Sequence, residues 1–250
     1  MTKRNHFDRD PKLYRQHRPQ YPDSLYQFLW EQTLHHDTVW DCATGNGQAA
    51  LPWLNRFKQI IASDISQSQL DEAFKHPSVD YRCCSAEDSG IKAQSVDLIT
   101  IAQALHWFNF DLFYQEVRRV AKPSALIAAW CYSLGRFDCN LDTIVWNLYE
   151  NILGDNYWPR ERRYIDNRYT DIPFPFEKIE SPLFFIEKEF NLDDFKGYLN
   201  TWSAVKEYQL QNQTNPVELI SDELTLAWGA ADQIRKMQWP IHLLVGRIDE

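Results

Sequence analysis

Apolar residues along this chain gather in short runs at 38–40, 60–62, 96–102 and 125–130, separated by stretches with helical spacing. Continuous apolar runs bounded by turn residues read as strands buried on both faces, and their alternation with helical segments predicts a parallel sheet covered on both sides. Residues 23–34 predict a first helix, with Asp23 as its N-cap after Pro22 and Leu25, Phe28, Leu29 and Leu34 on one face. Phe113, Val117 and Val120 stripe a crossover helix over 112–121, with Pro123 as its stop. From 133 to 179 the pattern changes to aromatic and Arg-rich helical pieces, a helical cap inserted after the fifth strand. Strand-like 183–188, a helix from about Asn191 and a last apolar run at 241–245 follow. The fold expected is α/β, Rossmann-like and doubly wound, with a mostly parallel seven-stranded sheet. No internal repeat or low-complexity stretch interrupts it.

Composition narrows the partners. The 250 residues, 44% of them hydrophobic, suffice for one full core plus an elaboration. A formal charge of -9, with the longest basic cluster only at 160–163, argues against nucleic acid. Cys42, Cys83, Cys84, Cys131 and Cys139 show no CxxC spacing and read as reduced thiols. The first residues lack the apolar core of a signal peptide, and no run approaches the roughly 18 apolar residues of a membrane span. The expectation is a cytoplasmic protein without membrane contact or metal, acting as a monomer or weak homodimer.

Two of only eight glycines, Gly45 and Gly47, sit between the first strand and a helix expected after it. Glycine there permits positive φ and close approach of the backbone to a ligand. Residues 45–50 also satisfy the dinucleotide pattern GxGxxG/A, and Asp64 lies 17 residues past Gly47, so a nicotinamide oxidoreductase fits the loop taken alone. Asp41, four residues before Gly45, and a leader of nearly forty residues favour a different ligand.

Asp41-Cys42-Ala43-Thr44-Gly45-Asn46-Gly47 resembles the first motif of the class I S-adenosylmethionine-dependent methyltransferases, acid-x-Gly-x-Gly-x-Gly, with Ala43 in place of the first glycine. An alanine is accommodated there where its φ is negative. The resemblance implies S-adenosyl-L-methionine as cofactor, its amino acid moiety on Asp41, Ala43, Thr44, Gly45, Asn46 and Gly47. It also implies that Asp64, followed by Ile65, grips the ribose hydroxyls, since a carboxylate accepts two hydrogen bonds from a vicinal diol. The other reading of Asp64 is a helix cap, although Ser66 can serve as one. After the third strand, Ser85, Ala86 and Glu87, with Asp88, stand where relatives meet the adenine edge; the other reading is a solvated loop.

Gln103-Ala104-Leu105-His106-Trp107-Phe108 follows a central strand, at the carboxyl end where open α/β sheets bind ligands. This string, with Tyr14, His17, Arg18, Pro19, Tyr21 and Pro22 ahead of the first helix, is similar to a small-molecule subgroup related to the trans-aconitate methyltransferases. The similarity covers about residues 7–130, returns weakly from Trp239 and Pro240 through Arg247, and does not reach the cap at 133–179. It implies a small-molecule acceptor, with a carboxylate favoured. Gln103 is assigned to the cofactor, Trp107, Tyr14 and Arg18 to the substrate, and His106 to catalysis, as general base for a hydroxyl or amine acceptor or as a positioning group for a carboxylate. Packing alone is the competing reading for His106, Trp107 and the leader. The resulting organisation is 1–132 as leader and cofactor core, 133–179 as cap and substrate region, and 180–250 as completion of the sheet. A catalytically silent binding protein of the same fold is the third possibility.

Overall fold

A computed structural model describes residues 20–248 of the chain. They divide into two compact units, one formed by Tyr21–Ser133, Tyr164–Phe184 and the chain from Ile241, the other by Leu134–Arg163 and Phe185–Pro240.

The first unit carries the parallel sheet. Its strands are β1 (Thr38–Cys42), β2 (Gln59–Asp64), β3 (Val79–Cys83), β4 (Val96–Ala102) and β5 (Ala121–Tyr132). They lie in the order β3-β2-β1-β4-β5, all parallel. β8 (Arg235–Arg247) runs antiparallel to β5, and the two-residue β6 (Glu177–Lys178) antiparallel to β8, while β7 (Phe184–Phe190) also pairs with β8. The expected mostly parallel sheet is present, with β6 bringing it to eight strands. Every residue of β1 is buried, and β4 is buried up to Ala102, as continuous apolar runs require.

Three local expectations are corrected. Helix α1 (Asp23–Gln32) is entered from Pro22, whose extended backbone occupies the cap position, so Asp23 lies in the first turn and pairs with Arg56 at 2.7 Å. The helix stops at Gln32 because Thr33 is extended, which leaves Leu34 off the apolar face and 60% exposed. Helix α2 (Gln67–Asp71) precedes β3, and the crossover helix α3 (Phe110–Val120) ends where Ala121 turns extended and opens β5 directly. Pro123 therefore stops nothing; it sits exposed near the start of β5, beside the register shift at Val96 and Leu98, where a missing N–H is tolerated. Finally, no α-helix follows the glycine loop. Turns and a short 3₁₀ segment (Leu51–Trp53) replace it, since Pro52 has no N–H for a continuing helical ladder.

The second unit is helical: α4 (Cys139–Trp146), a π-helical stretch (Asn147–Leu153), α5 (Gly154–Tyr157), α7 (Leu192–Asn200), α8 (Ser203–Asn212) and α9 (Ser221–Trp228). Its core is aromatic. Phe195 stacks on Trp228 at 5.6 Å and Trp239 donates its indole N–H to Tyr198 at 3.2 Å. Helices follow β5 as expected, but this unit extends beyond 179 to include α7, α8 and α9. Conversely 164–184, entered through α6 (Arg162–Asp166), belongs with the sheet, because Tyr169, Ile172 and Phe176 bury there; Phe176 meets Tyr114 edge-on at 5.3 Å.

Candidate functional site

In a parallel sheet the chain winds one way through β1, β2 and β3 and the other way through β4 and β5, so the crossovers from β1 and β4 diverge and leave a crevice at their carboxyl ends. Both strands end there on a non-glycine residue with positive φ, Ala43 at 55° and Gln103 at 55°. The expectation of a negative φ at Ala43 is thus overturned: the backbone takes the left-handed conformation that a glycine would adopt without cost. Such outliers persist where surrounding bonds over-determine the backbone.

Those bonds are identifiable. Asp41, 1% exposed, accepts hydrogen bonds from the hydroxyls of Thr44 at 2.5 Å and Thr100 at 2.7 Å. Thr100 stands directly opposite Asp41 in the β1–β4 register, so the pair ties the two strands beneath the loop. Burial pushes the Asp41 carboxyl up to about 6, aided by the charge of Asp64 and opposed by the two hydroxyls. The Thr44 amide donates to Ser63 O at 2.9 Å, fixing the loop to β2 as well. Gly45 has φ 58° with no atom nearer than 3.8 Å to an added Cβ, whereas Gly47, φ 84°, has the Tyr81 hydroxyl 2.8 Å from that position. A Cβ at Gly45 would thus make ordinary contact with the Gln69 side chain, whereas one at Gly47 would collide with Tyr81. Asn46 is half-buried between the two glycines.

Asp64 at the end of β2 accepts from the Gly45 amide through Oδ2 and from the Ser66 amide through Oδ1, each at 2.8 Å. Ser66, not Asp64, caps α2, with its hydroxyl accepting from the Gln69 amide. Ile65 is 72% exposed beside Asp64. After β3, the Ser85 hydroxyl accepts from the Asp88 amide at 3.1 Å, Ala86 is buried in the core, and Glu87 accepts from the Asn109 amide at 3.0 Å. Glu87 thereby links this loop to the segment following β4.

At the end of β4, the Gln103 amide donates to Trp130 O at 2.8 Å, and its side-chain oxygen accepts from the Tyr132 amide at 3.0 Å. His106 and Trp107 lie in a single 3₁₀ turn (Leu105–Trp107), their rings 5.0 Å apart. His106 is buried, and its Nδ1 is 2.9 Å from the Tyr169 hydroxyl. Tyr14 and Arg18 lie outside the described residues. Two participants escaped the sequence reading. A lone hydroxyl in the apolar strand 96–102 was a usable signal for Thr100, since a buried hydroxyl requires a partner. Nothing local marked Tyr169.

A parallel sheet with a glycine loop at its switch point, bonded to an acid ending the second strand, defines the Rossmann-like class that binds a nucleoside ligand across β1 and β2. The dinucleotide alternative loses support, because that motif seats a pyrophosphate on a helix N-terminus that is missing after Gly47. Residues 40–129 match the family model described as a methyltransferase domain. The chain is 32% identical over 242 residues to a methyltransferase-type protein of Dictyostelium discoideum, covering 94% of this chain and 92% of that one. A Saccharomyces cerevisiae relative, named for S-adenosylmethionine-dependent methyl transfer, is 24% identical, covering 81% and 82% of the two chains. A solved methyltransferase-type structure from Anaeromyxobacter dehalogenans superposes with a TM-score of 0.87 at 39% identity, covering 93% of this chain and 98% of that one. This chain belongs to the class I S-adenosylmethionine-dependent methyltransferases.

The residues present suit that cofactor. Asp64 presents both carboxylate oxygens at the end of β2, and a carboxylate can accept two hydrogen bonds from a vicinal diol. Gly45 carries no side chain over the loop, and exposed Ile65 supplies an apolar surface next to the acid. No helix among the described residues is long and apolar enough to cross a membrane.

Proposed function

We propose that this enzyme methylates a small-molecule acceptor carrying a carboxylate, as in the trans-aconitate-related subgroup. The observation that carries the reading is the bond from Gly45 to Asp64, which joins the glycine loop and the ribose acid into one cradle at the switch point. In this assignment Asp41, Ala43, Thr44, Gly45, Asn46 and Gly47 hold the amino acid moiety, Asp64 and Ile65 the ribose and its flank. Ser85, Ala86 and Glu87 border the adenine, and Gln103 closes the floor. Asp41 acts both as counter-charge for an ammonium group and, through Thr44, as the post on which the loop rests.

S-adenosylmethionine supplies a methyl group on a positively charged sulfur. The acceptor lone pair forms the new bond to carbon while the carbon–sulfur electrons return to sulfur, so alignment and exclusion of water dominate the protein's task. A carboxylate is ionised at neutral pH and needs no base. His106 then serves to hold the acceptor, with Trp107 as an aromatic wall and Tyr14 and Arg18 as further contacts to an anion.

The test is calorimetric titration with S-adenosylmethionine, S-adenosylhomocysteine and NAD, followed by assay of a panel of di- and tricarboxylates, hydroxy acids and amines for release of S-adenosylhomocysteine. The expected result is binding of the first two compounds and turnover among the carboxylates. Binding without turnover of any carboxylate, alongside turnover of an amine, would overturn the assigned acceptor class.

A further inference from the structure

The sequence leaves His106 open between a base and a positioning group, and its tertiary partner discriminates between them. Nδ1 of His106 lies 2.9 Å from the Tyr169 hydroxyl, with His106 5% and Tyr169 0% exposed. Tyr169 is brought there by a strained turn. Arg168 and Tyr169 are consecutive left-handed residues, φ 57° and 60°, in a conformation disfavoured for any side chain with a Cβ. The turn is held by the Arg168 amide donating to Ile165 O at 2.8 Å and the Tyr169 amide donating to Tyr164 O at 2.7 Å. Strain of this kind concentrates where a side chain must be aimed.

The chemistry of the pair sets the direction of the hydrogen bond. A phenol is a good donor whose oxygen is a modest acceptor, and a neutral imidazole nitrogen is a strong acceptor. A ring whose Nδ1 accepts must carry its own hydrogen on Nε2. A general base would need the opposite arrangement, with Nδ1–H turned toward the phenol oxygen and a lone pair on Nε2.

We propose that Tyr169 donates its hydroxyl hydrogen to Nδ1 of His106 and so holds the ring as its Nε2–H tautomer, making His106 a hydrogen-bond donor to an anionic methyl acceptor and not its base. Tyr169 is accordingly a positioning residue. The acceptor half of this inference rests on the proposed function; the tautomer half does not.

The two halves are tested separately. Long-range ¹⁵N–¹H correlation spectra of the full-length enzyme report which ring nitrogen carries hydrogen, and subtraction of the His106→Gln spectrum assigns the signals among the seven histidines. Wild type is expected to show Nδ1 of His106 in the unprotonated range and Nε2 in the protonated range. Tyr169→Phe, which conserves volume, is expected to move both nitrogens toward averaged values. A protonated Nδ1 in wild type, or a Tyr169→Phe spectrum identical to wild type, would overturn the tautomer assignment. With a carboxylate acceptor, Tyr169→Phe is expected to raise KM about three- to tenfold with kcat within about twofold, the pattern of a lost binding contact. A fall in kcat at unchanged KM would overturn the donor role. The expected spectra combined with unchanged kinetics in His106→Gln would sink the acceptor half and, with it, the placement of His106 in the proposed function, while leaving the Tyr169 bond standing.

Discussion

The carboxylate of Asp64 accepts the amide hydrogen of Gly45 at 2.8 Å across a gap of 19 residues. The acid that ends β2 thus also shapes the loop that ends β1, and its removal carries two consequences. Asp64→Ala is expected to weaken S-adenosylmethionine binding by about 1.5 to 3 kcal/mol, the range for losing charge-assisted hydrogen bonds, and also to lower thermal stability because two backbone amides lose their acceptor. Asp64→Asn keeps one carbonyl oxygen and should recover part of both. Calorimetry paired with thermal melts measures them; unchanged affinity in a folded Asp64→Ala protein would remove Asp64 from the cofactor site.

The two glycines should respond differently to alanine. At Gly47 a Cβ would meet the Tyr81 hydroxyl at 2.8 Å in a backbone with φ 84°, so Gly47→Ala combines a clash with left-handed strain and should cost about 2 to 3 kcal/mol. Tyr81→Phe in the same chain should return part of that loss, a coupling readable from a double-mutant cycle. Gly45→Ala has room and pays only for its φ, about 1 kcal/mol, so a larger loss of cofactor affinity than of stability would identify the ligand-facing glycine. Additive effects of Gly47→Ala and Tyr81→Phe would contradict the clash.

Ala43 occupies a left-handed conformation with φ 55°. Replacing it by glycine removes the steric cost of a Cβ there, about 1 to 2 kcal/mol, and adds backbone entropy to the unfolded chain. The net expectation for Ala43→Gly is stabilisation by about 0.5 to 1 kcal/mol, a rise of about 1 to 4 °C in melting temperature for a chain of this size. Differential scanning calorimetry decides it, and a lower melting temperature would mean that the methyl group packs usefully.

Asp41 links folding to pH. Burial raises its carboxyl to about 6 in the folded protein, against about 3.9 in an unfolded chain. Between those values the folded state holds a proton that the unfolded state has released, so stability falls as pH rises from about 4 to about 6 and the full cost persists above that window, on the order of 3 kcal/mol. Asp41→Asn cannot titrate. Its stability relative to wild type should improve by that order between pH 4 and pH 7, while its affinity for the cationic cofactor falls. Urea unfolding of both proteins at the two pH values tests this, and a pH-independent difference would refute the buried-acid account.

Much of this protein follows from local pattern. Apolar runs at 38–40, 60–62, 96–102 and 125–130 mark four strands because a strand buried on both faces has no polar position to spare. Gly45, Gly47 and Asp64 stand out because a tight turn restricts the residue type and a carboxylate ending a strand can hold two loop amides at once. Pro52, Pro123 and Thr33 show the limit of such reading, since where a helix stops depends on which backbone groups find partners in the folded chain. The opposition of Asp41 and Thr100 is set by strand register, and the meeting of His106 with Tyr169 spans 63 residues. The reach of the helical unit to 240 likewise follows from which aromatic side chains bury together. Spacing along a chain specifies periodicity within an element, but long-range partners are chosen by packing. The identity of this family could therefore be read from contiguous motifs, whereas the partner of its buried histidine could be learned only once the fold had brought the Tyr169 hydroxyl within 2.9 Å of it.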